Sequence, residues 1–223
     1  NEAHKRGIRV ILDLVLNHTS SQHPWFVSSW DPASPYHDWY IWTETNPGYN
    51  GPWGQRVWYP SHSQYYYALF WDQMPDLNFN NPAVTTEMDN IVKFWLEVGV
   101  DGFRLDAARH LIENGAQQVN TDATHAWYQQ FRTLYKSINP DAITVGELAG
   151  ENVGVIASYT QGDQIDLAFD FGLASAFVSS ANEGNAGTAL GQVKISYKLI
   201  PPLQFAPFLT NHDQNRLMTQ LNN

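Results

Sequence analysis

Residues 8–16 read Ile-Arg-Val-Ile-Leu-Asp-Leu-Val-Leu, a nearly unbroken apolar run of strand length. Such a run predicts a strand covered on both faces, as in a parallel sheet flanked by helices. Ahead of it, residues 1–6 read as the last turn or two of a helix closed by Gly7. From residue 19 to 81 no helical period persists, and Pro, Gly, Ser, Asn and His interrupt the aromatic positions. A stretch of this length is too long for a plain connection and predicts an inserted subdomain, irregular or built of short strands.

Order resumes at Asn81-Pro82, an N-cap followed by proline at the first helical position. Val84, Met88, Ile91, Val92 and Trp95 share one helical face, and Gly99 closes the helix. A strand follows at 100–106, then a helix at 122–138 with Trp127, Phe131, Leu134, Tyr135 and Ile138 on its apolar face. Further strands are predicted at 142–146 and 165–169, and helices near 173–181 and 187–198. A weaker strand at 205–210 is interrupted by Pro207. No internal repeat or low-complexity tract is present.

Strands and helices alternating in this way predict an α/β fold with a parallel sheet. Without the insertion roughly 160 residues remain, about five βα units at some 30 residues each. A closed (β/α)8 barrel takes about 250. The expected architecture is therefore a partial (β/α)8 barrel, with residues 1–18 and 82–223 as barrel segment and 19–81 as the inserted subdomain.

Composition narrows the function. Twelve Lys and Arg against 22 Asp and Glu give a formal charge of −10. That charge disfavours phosphate backbones and anionic membranes, so neither nucleic acid nor membrane is expected as a partner. No apolar run approaches a membrane span. The absence of Cys removes disulfides, thiolate metal sites and a cysteine nucleophile. Aromatics are dense for so few charges, and 16 of the 31 fall between residues 25 and 71, seven of the nine Trp among them.

In parallel α/β folds, polar residues at the C-terminal ends of strands are where catalysis is sought. Here those ends carry Asn17-His18, Arg104 with Asp106, Arg109-His110, Glu147, and Asn211-His212-Asp213. Arg104 and Asp106 lie two apart on a strand and so face the same side. A guanidinium beside a carboxylate keeps it ionised, as a nucleophile requires. Glu147 follows the small Gly146; partly desolvated beside Asp106, it should hold a proton to higher pH. Two such carboxyls suit retaining glycoside chemistry, which needs them about 5 Å apart. The histidines offer partners for sugar hydroxyls, and the insertion's aromatics offer flat faces for pyranose rings.

At these residues a family resemblance emerges. Asp13-Leu-Val-Leu-Asn-His18, Met74-Pro-Asp-Leu-Asn78, Gly102-Phe-Arg-Leu-Asp-Ala-Ala-Arg-His110, Gly146-Glu-Leu148 and Phe208-Leu-Thr-Asn-His-Asp213 resemble the ordered signature segments of the α-amylase family of glycoside hydrolases. The resemblance implies a TIM barrel from about strand 3 to strand 7, with the insertion after the third strand. It implies Asp106 as nucleophile, Glu147 as acid/base and Asp213 as the third carboxylate. His18, Arg104, Arg109, His110 and His212 then match substrate-binding positions. Asn17, Asp76 and the backbone carbonyl of His110 match positions that bind a structural Ca2+ in many members; oxygen ligands of this kind suit a hard cation.

The resemblance further implies an α-glucan or maltooligosaccharide substrate, and an extracellular or periplasmic setting for a polymer-degrading enzyme. Ala107, directly after the nucleophile position, favours α-1,4 bonds. An α-glucosidase, an oligo-1,6-glucosidase or a transglycosylase of the same family is the alternative. By the same pattern the first two strands, the eighth and a C-terminal β-domain lie outside these residues, so the chain is expected to be a fragment of low stability by itself. A catalytically dead relative would lose triad carboxylates, and all three stand here. A zinc hydrolase would need a ligand set such as His-x-His on the first strand, which is absent.

Duller roles are expected elsewhere. Asp13 is expected to be buried in its strand and paired structurally with Arg104. His4, His23, His37, His62 and His125 have no identifiable functional partner. Trp53, Trp58, Tyr59, Tyr65, Tyr66 and Tyr67 serve either as the insertion's core or as sugar platforms. The faces bearing Met88, Trp95, Trp127 and Phe131 are expected to be core.

Overall fold

A computed structural model describes residues 1–221. After a 3-10 turn at His4–Arg6 the elements are β1 (Ile11–Leu14), α1 (Pro24–Ser29), β2 (Trp42–Thr43), β3 (Trp58–Ser61) and β4 (Gln64–Tyr67). Then come α2 (Pro82–Val98), β5 (Gly102–Leu105), α3 (Asp122–Ile138), β6 (Ile143–Gly146) and α4 (Val153–Thr160). The chain continues through β7 (Leu167–Phe169), α5 (Phe171–Glu183), α6 (Gly187–Leu199), β8 (Phe205–Ala206) and α7 (Leu217–Gln220). One sheet runs β1-β5-β6-β7-β8 with every neighbouring pair parallel. A smaller antiparallel sheet, β2-β4-β3, lies in the insertion.

The long helices follow their sequence signals. Asn81 caps α2 by accepting from Ala83 N at 3.0 Å, and Thr121 caps α3 by accepting from Thr124 N at 3.1 Å. On α2 the buried positions are Val84, Met88, Val92 and Leu96, a strict i, i+4 series. Trp95 falls off that stripe and is exposed, so Leu96 takes the core place expected of it. On α3, Tyr128 joins Trp127, Phe131 and Tyr135 in the interior.

β1 departs from its expected burial. It pairs with β5 on one side, and Ile8, Ile11 and Val15 are exposed. Apolar composition registers compatibility with a covered strand, whereas coverage itself depends on neighbours. Asp13 is likewise exposed rather than buried, its side chain 48% accessible. β7 begins two residues late because Asp166 Oδ2, at 2.9 Å, already accepts Thr144 N in place of a ladder bond. β8 shrinks to two residues before Pro207, which has no N–H to donate. The helix α4 has no counterpart in the periodicity; it is short, and Asn152 starts it by capping Gly154 and Val155.

The chain leaves the main sheet and returns to it side by side. Leu77 N donates to Asn17 O at 2.8 Å, and His18 bridges to Asp76. Phe26, Tyr40 and Tyr66 of the insertion join the same core as Leu14, Phe103 and Trp127. Val57, Trp58, Tyr67 and Leu69 make a second, smaller core. Among the described residues no helix is long and apolar enough to cross a membrane.

Candidate active site

Asp13 and Arg104 are register partners on β1 and β5. Arg104 Nη1 donates to both Asp13 oxygens, at 2.8 and 3.1 Å, and to Asp106 Oδ1 at 2.5 Å. Its Nη2 pairs with Glu147 Oε2 at 2.7 Å. One guanidinium, held rigid by its planar fork, thus gathers carboxylates from three adjacent strands. The pairing with Glu147 adds to the two contacts read from sequence.

Backbone geometry joins the same groups. Ala107 adopts a left-handed conformation, φ 47° and ψ 35°, an uncommon one for a residue with a Cβ. In that turn Ala107 N donates to Glu147 Oε2 at 3.2 Å, and Ala108 N donates to Glu147 O at 3.1 Å. Glu147 N in turn donates to Leu105 O at 2.9 Å. Burial raises the Glu147 carboxyl above its ordinary range, and the negative charges of Asp106 and Asp213 add to the rise. The Ala107 N–H and Arg104 pull the other way without cancelling it.

A cavity of about 230 Å³ opens over these groups, lined by Asp106, Glu147 and Asp213. His18 lines it as well; its Nδ1 is buried without a partner, and burial lowers the imidazole pKa. From the insertion come Trp53, Phe70 and Met74. Trp53 is 56% exposed at this wall, with Phe70 5.8 Å away ring to ring. Phe70 and Met74 were not among the residues read as functional. Met74 stands in one of the signature segments, whereas nothing local distinguishes Phe70 from the other aromatics.

Arg109 and His110 also reach the cavity, though their polar atoms are largely committed within the protein. Arg109 Nε donates to His110 Nε2 at 2.9 Å, and His110 Nδ1 bonds Gln118 O at 3.1 Å. The imidazole is therefore neutral with its proton on Nδ1, and burial with the adjacent Arg109 brings its pKa down to about 4. His110, matched by the resemblance to a substrate-binding position, thus has both ring nitrogens engaged within the protein. His212 sits apart, 68% exposed, beside Asp13 and Arg104 in a neighbouring cavity, its Nε2 3.2 Å from Asp213 Oδ2.

Asn17 and Asp76 meet at the root of the insertion. Asn17 Nδ2 donates to Asp76 Oδ2 at 2.8 Å, and Leu69 N donates to Asp76 Oδ1 at 2.9 Å. Asp76 is buried, which pushes its carboxyl well above the ordinary range, and Asn17 Oδ1 is buried with no partner. Glu113 lies close enough to raise Asp76 further, and its own carboxyl is pushed up to about 7 by burial. Among the described residues neither acid has a cationic side chain paired to it. Glu113 was not singled out in the sequence, because its closeness to Asp76 arises only from folding.

The family model described as the alpha amylase catalytic domain matches residues 1–223. The chain is 43% identical to alpha-amylase 3 of Dictyoglomus thermophilum over 98% of its length and 42% of that protein's. It is 36% identical to the trehalose synthase/amylase TreS of Mycobacterium tuberculosis, over 95% of the chain and 38% of the relative. An alpha-amylase structure from H. orenii superposes with a TM-score of 0.85 at 40% identity, over 98% of this chain and 45% of that one. The chain thus spans less than half the length of each of these relatives.

Proposed function

The chain belongs to the α-amylase family of glycoside hydrolases, and on that premise we propose that it carries the catalytic centre of a retaining enzyme cleaving α-1,4-glucosidic bonds in starch or maltooligosaccharides. Its five-stranded parallel sheet is part of a TIM barrel. The observation that carries the reading is Arg104, whose fork holds Asp106 and Glu147 together.

The mechanism is double displacement. Asp106 attacks the anomeric carbon while Glu147 protonates the departing glycosidic oxygen, so one C–O bond forms as another breaks. Glu147, now ionised, takes a proton from water, whose oxygen displaces Asp106. The raised Glu147 carboxyl suits the first step, since it keeps the proton available at higher pH. Asp213 accepts hydrogen bonds from ring hydroxyls, His18 lines the same cavity, and Trp53 offers a face to a pyranose ring.

The test is proton NMR of maltoheptaose incubated with the protein, against a Glu147→Gln control. Early products with α-anomeric signals, lost in the control, are expected; early β-anomeric products would overturn the retaining assignment. Asp106→Asn and Glu147→Gln should each lower turnover by roughly 10²–10⁴-fold. Kinship with a trehalose synthase/amylase supports a second reading, transfer in place of hydrolysis. New linkages appearing in the same spectra would favour it. Turnover of isomaltose would instead point to α-1,6 bonds.

We also propose a structural Ca2+ at the root of the insertion. The buried Asp76 carboxyl, the half-buried Glu113 nearby and the orphaned Asn17 Oδ1 give oxygen-rich surroundings that suit a hard cation, whose charge would draw the carboxyls into their ionised forms. Asn17 and Asp76 with the His110 carbonyl would hold the ion, which when bound would tie the insertion to the barrel. A rise in melting temperature with calcium, lost in Asp76→Asn, would support it; no shift would count against it.

A further inference from the structure

Arg109 occupies a position where the sequence points to sugar contact, yet its guanidinium is held from behind. Nη1 pairs with Glu151 Oε1 at 2.7 Å, both side chains about 11% exposed. The same Glu151 oxygen accepts from Asn120 Nδ2 at 2.7 Å. Asn120 is fixed in turn: its N–H donates to Arg109 O at 2.9 Å, and its Oδ1 accepts from Tyr159 O–H at 2.9 Å. Glu151 lies four residues after Glu147, so this network links the loop carrying the proposed acid to the loop carrying the proposed nucleophile.

The outer side of Arg109 faces the insertion. Its guanidinium carbon stands 5.9 Å from the centre of the Trp53 ring, within cation–π range. His110, whose Nε2 accepts from Arg109, meets Trp53 edge-on at 5.5 Å. Trp53 sits in a tight loop, where its N–H donates to Gln55 Oε1 at 2.9 Å, and it belongs to no strand. The position of so exposed a ring is therefore set by what lies against it.

From this chain of contacts we propose that Glu151 is a positioning residue: by clamping Arg109 it holds Trp53 as the wall against which the sugar ring lies. Glu151 is absent from the lining of the cavity that holds Asp106 and Trp53, and lines a neighbouring one with Glu147 and Asp213. Removing it frees the guanidinium and loosens Trp53, which weakens substrate binding and leaves the Asp106–Glu147 chemistry in place. The inference rests on the proposed reading of the cavity as a sugar site.

The test uses the whole protein with Glu151→Leu, Glu151→Gln and Arg109→Lys variants. Glutamine keeps an acceptor oxygen, whereas lysine keeps the charge but cannot serve His110 and Glu151 together. The expected result is a rise of about tenfold in KM for maltoheptaose in Glu151→Leu, with kcat changed by less than about threefold and most of the loss recovered in Glu151→Gln. Arg109→Lys should raise KM similarly, which keeps the test open if the leucine variant does not fold. Acrylamide quenching of the Trp53 signal, taken as the difference from Trp53→Phe, should increase in both damaging variants. Unchanged quenching with unchanged KM would overturn the proposal, as would a fall in kcat at constant KM. If the unaltered protein neither binds nor cleaves maltoheptaose, the sugar-site reading fails, while the quenching still decides whether Glu151 positions Trp53.

Discussion

Arg104 and Glu147 form an ion pair of 2.7 Å, on the same guanidinium that holds Asp106. A positive group that close favours the ionised carboxylate, yet the Glu147 carboxyl is raised overall, because burial and the charges of Asp106 and Asp213 outweigh it. Arg104 orients Glu147 while lowering its carboxyl by less than burial and the neighbouring charges raise it.

Arg104→Lys should therefore be damaging despite keeping the charge. A single ammonium cannot present two separated donors to Asp106 and Glu147 as the fork does. The expected outcome is a fall in kcat of roughly 10²–10³-fold with little change in KM, by analogy with loss of one preorganised donor. Steady-state kinetics on maltoheptaose checks it; a kcat near that of the unaltered protein would remove Arg104 from the machinery.

The raised Glu147 carboxyl makes a prediction in pH. Its titration midpoint should lie above the usual glutamate value of about 4.3, and Asp213→Asn should bring it down by removing one of the negative charges that raise it. Carboxyl 13C NMR, assigned by Glu147→Gln, reads both midpoints. The sign for stability follows: a raised folded value favours the fold below the unfolded pKa, and that advantage is lost as pH rises through the folded one. Glu147→Gln should thus gain in relative melting temperature as pH increases; a constant difference would contradict the shift.

Gly102 carries a backbone prediction. Its φ of +150° and position against β6 leave no room for a side chain, since an added Cβ would lie 1.9 Å from Ile143 O. Gly102→Ala must part β5 from β6, the strands that lead directly into Asp106 and Glu147. A loss of about 3 kcal/mol or more is expected in urea unfolding. A loss below about 1 kcal/mol would mean that the strands separate easily.

Asp101 offers a test away from the site. Its carboxyl is held well below the usual range by the Val10 N–H, Arg9 and His4, each at 2.7 Å. A depressed carboxyl gives stability that is present above the unfolded pKa of about 3.9 and lost as pH falls toward the folded value. Asp101→Asn should therefore cost about 1–3 kcal/mol near neutrality. Thermal melts should show that gap closing on acidification; a gap independent of pH would count against the linkage.

Helix bounds and strand-end chemistry were legible because they are local. A cap, a period of 3.6 and a glycine stop mark α2, and carboxylates at successive strand ends mark Asp106 and Glu147. What depends on distant neighbours was not legible. The open side of β1, which leaves Asp13 accessible, cannot be told from composition. Trp95 and Leu96 compete for one stripe, and their order is decided by the packing of α2. Glu113 and Glu151 read as ordinary acids until folding brings the first within electrostatic reach of Asp76 and the second against Arg109.

The left-handed turn at Ala107 has a consequence for how such a site can diversify. Because the amides of Ala107 and Ala108 reach the side chain and backbone of Glu147, the spacing between the Asp106 and Glu147 carboxyls depends in part on backbone dihedrals. Wall residues such as Trp53, Phe70 and Met74 come from a different segment of the chain. On the proposed reading, substitutions in the wall can alter which sugar is held while the turn that sets the Asp106–Glu147 spacing stays unchanged.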